Sequence, residues 1–345
     1  MKCGVHSSEC SGDLRERLGA IIAERLGPPG EVLAMTRLTG GATRTTWSLD
    51  VRIGDQVQPL ILQQTHPRDI TPGDPINLMA RVQGDSEARL IAAARGAGVP
   101  VPAVRLVLQP EDGLGAGFIT DGISGETIGR RINREPVLAG ARRLLPRQCG
   151  QILASIHTMD TDSLPFLARH DAAAQVAAYR AIWDAFDHPL PTMELGLKWA
   201  GAHIPTSEHL AVVHGDFRNG NFIVGPHGIR AVLDWELAHL GDPVEDLGWL
   251  LVKTWRFGGK LPVGGFGRRE DLLESYEQAG GPPVSPNHLL FWEAFGCLKW
   301  AVMCTIKGEG YLRDPRERTV EALSIGRRTE EPLYDFLNLI FPEVE

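Results

Sequence analysis

The spacing of apolar residues changes character partway along the chain. Leu14, Leu18, Ile21, Ile22 and Leu26 fall on one helical face, which predicts a packing helix over 13–26. Asp13 and Glu16 would form its capping pair, and Gly27-Pro28-Pro29 would stop it. Two-residue alternation then takes over. Residues 32–38, 45–53 and 59–64 read as antiparallel strands, turned at the glycine-bearing segment 39–43 and at Gly54-Asp55. A loop rich in Pro, Gly and Asp (66–84) leads to a helix over 86–96. That helix turns Leu90, Ile91 and Ala94 inward and carries Glu87 in its first turn. Two more short strands, 104–108 and 118–120, flank an acidic turn.

Near 121–125 the period becomes helical. Helices are predicted over 127–132, 142–157, 172–186, 194–202, 246–254, 269–279, 288–306 and 319–338, with Gly- and Pro-rich loops at 258–267 and 280–286. One polar stretch, 211–236, interrupts them. The expected organisation is an N-terminal helical extension (1–30), a sheet-rich lobe (31–121) and a helical lobe (122–345), an α+β architecture without internal repeats.

Composition narrows the chemistry. A net charge of −8 and a pI near 5.8 argue against a nucleic-acid partner, so a polyanionic ligand must be met by local charge. Five cysteines, scattered and without a Cys-x-x-Cys pair, argue against a disulfide framework or a zinc site and suit a reducing cytoplasm. The N-terminus lacks the apolar core of a signal peptide. Glu293 and Lys299 interrupt the most apolar C-terminal run, so no membrane span is expected. The basic residues are mostly arginine, and no lysine occurs between Lys2 and Lys198.

Residues 211–236 read AVVHGDFRNGNFIVGPHGIRAVLDWE. Three short apolar runs deliver Asp216, Asn221 and Asp234 at their ends. Carboxylate and amide oxygens so placed suit a hard cation such as Mg²⁺, which leaves room for phosphate. The order His-x-Asp-x-x-x-x-Asn, followed by an Asp after the next hairpin, is that of kinases: a base, a metal amide, then a metal carboxylate.

HGDFRNGN, LDWE and LGDPVEDLGWL resemble the aminoglycoside phosphotransferase and choline kinase-like superfamily, and within it the kinase-like domain associated with acyl-CoA dehydrogenase family proteins. The resemblance implies a protein-kinase-like bilobal fold, with a small antiparallel-sheet N-terminal lobe and a larger helical C-terminal lobe. It also implies ATP and Mg²⁺ as cofactors and a hydroxylated small molecule as partner. Carried over by residue, Asp216 matches the catalytic Asp, Asn221 the metal amide and Asp234 the metal carboxylate. Arg218 fits a phosphate or a substrate acid group, and equally a structural ion pair. Asp242 and Asp246 read mainly as a helix cap and a buried carboxylate bracing the loop, and His214 as a packed residue that orients it. Gly40 and Gly41 resemble the loop over the nucleotide phosphates. Glu87 sits where the family's helix carries a Glu paired to a strand lysine, an exposed first-turn Glu being the alternative. Trp255, Trp292 and Trp300 fit either core packing or an acceptor pocket. The Ala-Pro-Glu of protein kinases does not follow Asp234, which argues against a protein substrate.

The chain departs from the family at one strand. Gln63 and Gln64 stand where relatives place Lys or Arg, leaving Arg44, Arg52 or Arg68 to supply the charge. Two functions follow from this pattern. One is a small-molecule O-phosphotransferase, with a hydroxyacyl or acyl-CoA-like acceptor ahead of an aminoglycoside. The other is a nucleotide-binding pseudokinase or interaction module.

Overall fold

In the computed structural model, which describes residues 6–38, 44–65, 79, 81–186, 188–206 and 210–342, the first helix closes one face of a five-stranded sheet. Helix α1 (His6–Arg25) places Leu18, Ile21 and Ile22 against Val32 of β1 (Pro29–Leu38), Leu49 and Val51 of β2 (Arg44–Ile53), and Leu60 and Leu62 of β3 (Gln56–Thr65). Alternation along the strands is what lets one face be apolar while the other stays polar. The helix starts before residue 13, so Asp13 and Glu16 lie inside it and do not cap it. No proline interrupts 6–12, and a helix anchored by packing at its far end continues through such a polar run.

Helix α2 (Asp85–Gly96) buries Leu90, Ile91 and Ala94 as expected. Strands β4 (Val104–Val107) and β5 (Gly117–Asp121) complete the antiparallel sheet in the order β1-β2-β3-β5-β4. Together with α1 and most of α2, this sheet forms one compact unit. The chain from residue 125 to its end belongs to a second.

The second unit is mainly helical. Helices α3 (Gly129–Arg134), α4 (Ala139–His157), α5 (Ala172–Asp184) and α6 (Pro191–Ala202) precede four short strands: β6 (Ala211–Val213), β7 (Phe222–Gly225), β8 (Gly228–Val232) and β9 (His239–Gly241). Strands β6 and β9 pair antiparallel, and β7 and β8 form a hairpin. Then come α7 (Val244–Leu251), α8 (Arg269–Gln278), α9 (Pro286–Arg313), α10 (Val320–Gly326) and α11 (Glu330–Ile340). The single helix expected over 319–338 is two, because α10 ends at Gly326, whose backbone meets that of Gly308 on α9 with no room for a side chain.

Among the described residues α9 is the one helix long and apolar enough to cross a membrane, and 78% of that window is buried inside the fold. It is the central helix of this unit, packed by α5, α6, α7, α10 and α11. Its contact with α7 is especially close: a Cβ on Gly248 would lie 2.5 Å from Trp292 Cβ and 2.7–2.8 Å from the α9 backbone. Gly248→Ala is therefore expected to destabilise the protein by about 1–3 kcal/mol, measured as a lowered urea midpoint.

Candidate active site

Strand β6 ends at Val213, and the chain turns through His214, Gly215 and Asp216. Gly215 has φ +78°, and a Cβ there would lie 2.4 Å from the Leu237 carbonyl oxygen, so only glycine fits. The turn is held from α7. Buried Asp246 accepts the His214 N–H at 2.8 Å and the Gly215 N–H at 2.9 Å, and His157 Nε2 stands 3.2 Å from the same carboxylate. Asp242 accepts the Val244 N–H at 3.0 Å and the Trp292 indole N–H at 2.9 Å, and also contacts His288. Asp246 thus braces the loop, while Asp242 caps the start of α7 and ties it to α9.

His214 is fully buried, and burial pushes its pKa down. Its Nδ1 accepts the Asp216 N–H at 3.2 Å, which leaves Nε2 to donate to the Leu233 carbonyl at 3.2 Å. With both nitrogens engaged by backbone groups, the ring orients the loop and offers no free nitrogen to a substrate.

Three donors fix the Asp216 carboxylate. Arg218 Nε at 2.9 Å and Trp249 Nε1 at 2.8 Å meet one oxygen, and Asn221 Nδ2 at 2.7 Å meets the other. Arg218 thus makes the ion pair that the sequence held open, and its guanidinium carbon lies 4.2 Å from the centre of the Trp255 ring. Asn221 donates its amide nitrogen to Asp216, leaving Oδ1 as its acceptor oxygen. The Leu233 N–H donates to the Asn221 carbonyl at 2.8 Å, one position beyond the Phe222–Val232 pair that ends the β7–β8 ladder, and Asp234 is the next residue of the chain. Asp234 has φ +65°, a left-handed conformation uncommon for a side-chain-bearing residue and concentrated at functional sites.

Two residues here escape the motif. Trp249 lies 33 positions beyond Asp216 and carries no local signal. Lys299 did leave a trace, as a charge interrupting the apolar run of α9. It is buried, donating to the Gly215 carbonyl at 2.9 Å and to Glu245 at 3.0 Å. Glu245 in turn meets His239 at 3.0 Å and the Gln175 amide. Burial alone would raise the Glu245 carboxyl; Lys299, His239 and Gln175 outweigh it and bring its pKa from 4.5 down to about 2.

In the sheet unit, Glu87 is buried at 2% exposure, which rules out the exposed alternative. It pairs with Arg44 at 2.8 Å, and Arg44 also donates to Gln63 at 3.3 Å. Arg52 pairs with exposed Glu31. Gly40, Gly41 and Arg68 lie outside the described residues.

Beyond the loop that carries Asp216 is a cavity of about 700 Å³, walled on one side by Phe257, which lies 6.5 Å from Trp255 between ring centres. Arg130, Arg134, Lys253, Arg256 and Arg328 line it, against two acids, Glu331 and Asp335. Those acids are engaged by Arg328 and Lys253, and Arg256 Nε is buried without a hydrogen-bond partner. Trp255 and Trp292 are core residues, buried at 3% and 2% exposure.

Comparison with known proteins gives a consistent picture. The model of the phosphotransferase enzyme family matches residues 35–284. Acyl-CoA dehydrogenase family member 11 of Gallus gallus is 32% identical over 291 residues, 76% of this chain and 34% of that one. The chain thus spans about a third of the length of such relatives. Among solved structures, a Ralstonia eutropha protein provisionally named an aminoglycoside phosphotransferase superposes with a TM-score of 0.71 at 21% identity, covering 94% of this chain and 97% of that one. A spectinomycin phosphotransferase, solved with ADP and spectinomycin, gives 0.59 at 12% identity over 93% and 98%. The fold is the protein-kinase-like fold of these enzymes.

The Glu245 pairing predicts a pH effect. A carboxyl whose folded pKa is depressed gives stability that is present above its unfolded value of 4.5 and lost as pH falls towards 2, about 3 kcal/mol across that range. Glu245→Gln should flatten this slope, read from urea midpoints between pH 5 and pH 3.

Proposed function

This chain belongs to the phosphotransferase enzyme family, and we propose that it moves the terminal phosphoryl group of ATP onto a hydroxyl of a small, acidic molecule. The observation that carries this reading is the hydrogen-bonded pair of Asp216 and Asn221, with Asp234 following the Leu233–Asn221 backbone bond at the end of the next hairpin. Asp216 accepts the hydroxyl proton as the acceptor oxygen bonds to the γ-phosphorus. The bond from that phosphorus to the β–γ bridging oxygen breaks, and ADP leaves. A positioned base of this kind contributes about 10²- to 10⁴-fold. Arg218 and Trp249 hold the carboxylate in place, and His214 and Asp246 hold the loop that carries it.

The donor set fits Mg²⁺ by its chemistry: the Asn221 amide oxygen and the Asp234 carboxylate are hard oxygens carried at the two ends of one hairpin, and Mg²⁺ commonly takes one or two protein carboxylates together with substrate phosphates. When bound there, Mg²⁺ supplies charge neutralisation on the phosphates. The left-handed backbone at Asp234 supports a functional constraint at that position.

The cavity beside the loop supports an anionic acceptor. Its arginines favour carboxylate and phosphate, which suits a hydroxylated acyl or acyl-CoA-like metabolite, in keeping with the names of the relatives. A polycationic aminoglycoside would meet like charge there, and stands second. A reaction drawing on ATP, in a chain with scattered thiols, fits a reducing cytoplasm. The retained trio weighs against a pseudokinase, which would need neither metal ligand.

ADP release measured across hydroxyacyl-CoAs, free hydroxy acids and kanamycin tests the acceptor class. An acidic substrate should turn over and kanamycin should not; the reverse would overturn the class. Asp216→Asn is expected to lower kcat by at least about 10²-fold, and equal turnover would remove Asp216 from its role. Arg134→Glu, on the wall of the cavity, should raise KM for the acidic acceptor and leave KM for ATP unchanged.

A further inference from the structure

Side-chain alternation on β2 and β3 sorts the two glutamines that replace the expected lysine. Thr45, Trp47 and Leu49 pair with Gln64, Leu62 and Leu60 on the face beneath α1, whereas Thr46 pairs with Gln63 on the opposite face, the face that Arg44 shares. Gln64 is held in place structurally: it accepts the Trp47 indole N–H at 3.1 Å and donates to the Leu114 carbonyl at 3.0 Å. Gln63 instead meets Arg44, and Arg44 meets Glu87.

We propose that Arg44 is the cation that receives the nucleotide's phosphates, with Glu87 as its anchor and Gln63 as its second tether. The assignment rests on the phosphotransferase reading and names the residue that completes its nucleotide site. A carboxylate as buried as Glu87 requires a charged partner, and Arg44, with its side chain 11% exposed, is that partner. Once the charge comes from β2, a lysine at 63 would place a second cation against the first. The Gln63 carbonyl oxygen accepts from Arg44 where a lysine would repel it. Gln63 is therefore the counterpart of a charge moved one strand across the sheet. A guanidinium also suits the double task better than an ammonium, because its planar fork of five donors serves a carboxylate and a phosphate together.

Isothermal titration with ADP, with and without Mg²⁺, tests this without turnover. Arg44→Gln is expected to weaken ADP binding about 10- to 100-fold, the worth of hydrogen bonds to a charged group. The double variant Arg44→Gln/Gln63→Lys, which returns the charge to β3 beside the same Glu87, should recover most of the affinity. Because Arg44→Gln leaves Glu87 unpaired, Arg44→Gln/Glu87→Gln is measured beside it, with thermal unfolding as the check on folding. A folded Arg44→Gln/Glu87→Gln protein that binds ADP as tightly as the wild type overturns the assignment and leaves the phosphotransferase reading intact. Wild-type protein that binds neither ADP nor ATP overturns both.

Discussion

Asp246 accepts two consecutive backbone N–H groups, those of His214 and Gly215, from a position with no access to water. Those groups belong to a turn too tight to pair them within itself, and a buried carboxylate without such donors would be strongly disfavoured. Each side therefore requires the other. The result ties the loop carrying Asp216 to the first turn of α7, and α7 is pressed against α9 with no space for a side chain at Gly248. From α9 itself, Lys299 grips the carbonyl of the same Gly215. One residue of the loop, Gly215, is thus held by its N–H from α7 and by its C=O from α9.

The candidate site in the second unit was legible because its residues are close in sequence. Asp216, Asn221 and Asp234 fall within nineteen residues, and the β7–β8 hairpin that aligns them announces itself in two apolar runs. The helices were legible by period, except where tertiary contact decided their ends. The start of α1 has no capping signal, whereas the break between α10 and α11 falls at Gly326 and Thr329, a stop and a start that the continuous apolar period over 319–338 hid. What could not be read were partners far along the chain. Trp249 looks like core until its N–H is found on Asp216, and Glu87 and Arg44 are 43 residues apart. Lys299 was visible only as an anomaly, a charge in an apolar helix whose counter-ion came from elsewhere.

The second unit also separates two kinds of charge. Glu245, His239 and Lys299 form a closed, buried network in which each charge is matched, and its consequence is stability. The cavity lined by Arg130 and Arg134, with Arg256 paired behind it to Glu293, carries positive charge in excess on a protein whose net charge is −8. An excess set against the sign of the whole molecule is a local arrangement, and it focuses attraction on anions at that wall.

The run from Lys2 to Lys198 without a lysine has a practical side. Chemical probes that mark kinases by acylating an amine near the nucleotide require a lysine there, and a guanidinium, protonated at any ordinary pH, does not react in its stead. On the proposed assignment Arg44 would offer such a probe a charge to dock against and no nucleophile to capture. Apart from Lys2, every lysine of the chain lies at 198 or beyond, so strands β1 to β5 and helix α2 supply no amine to label.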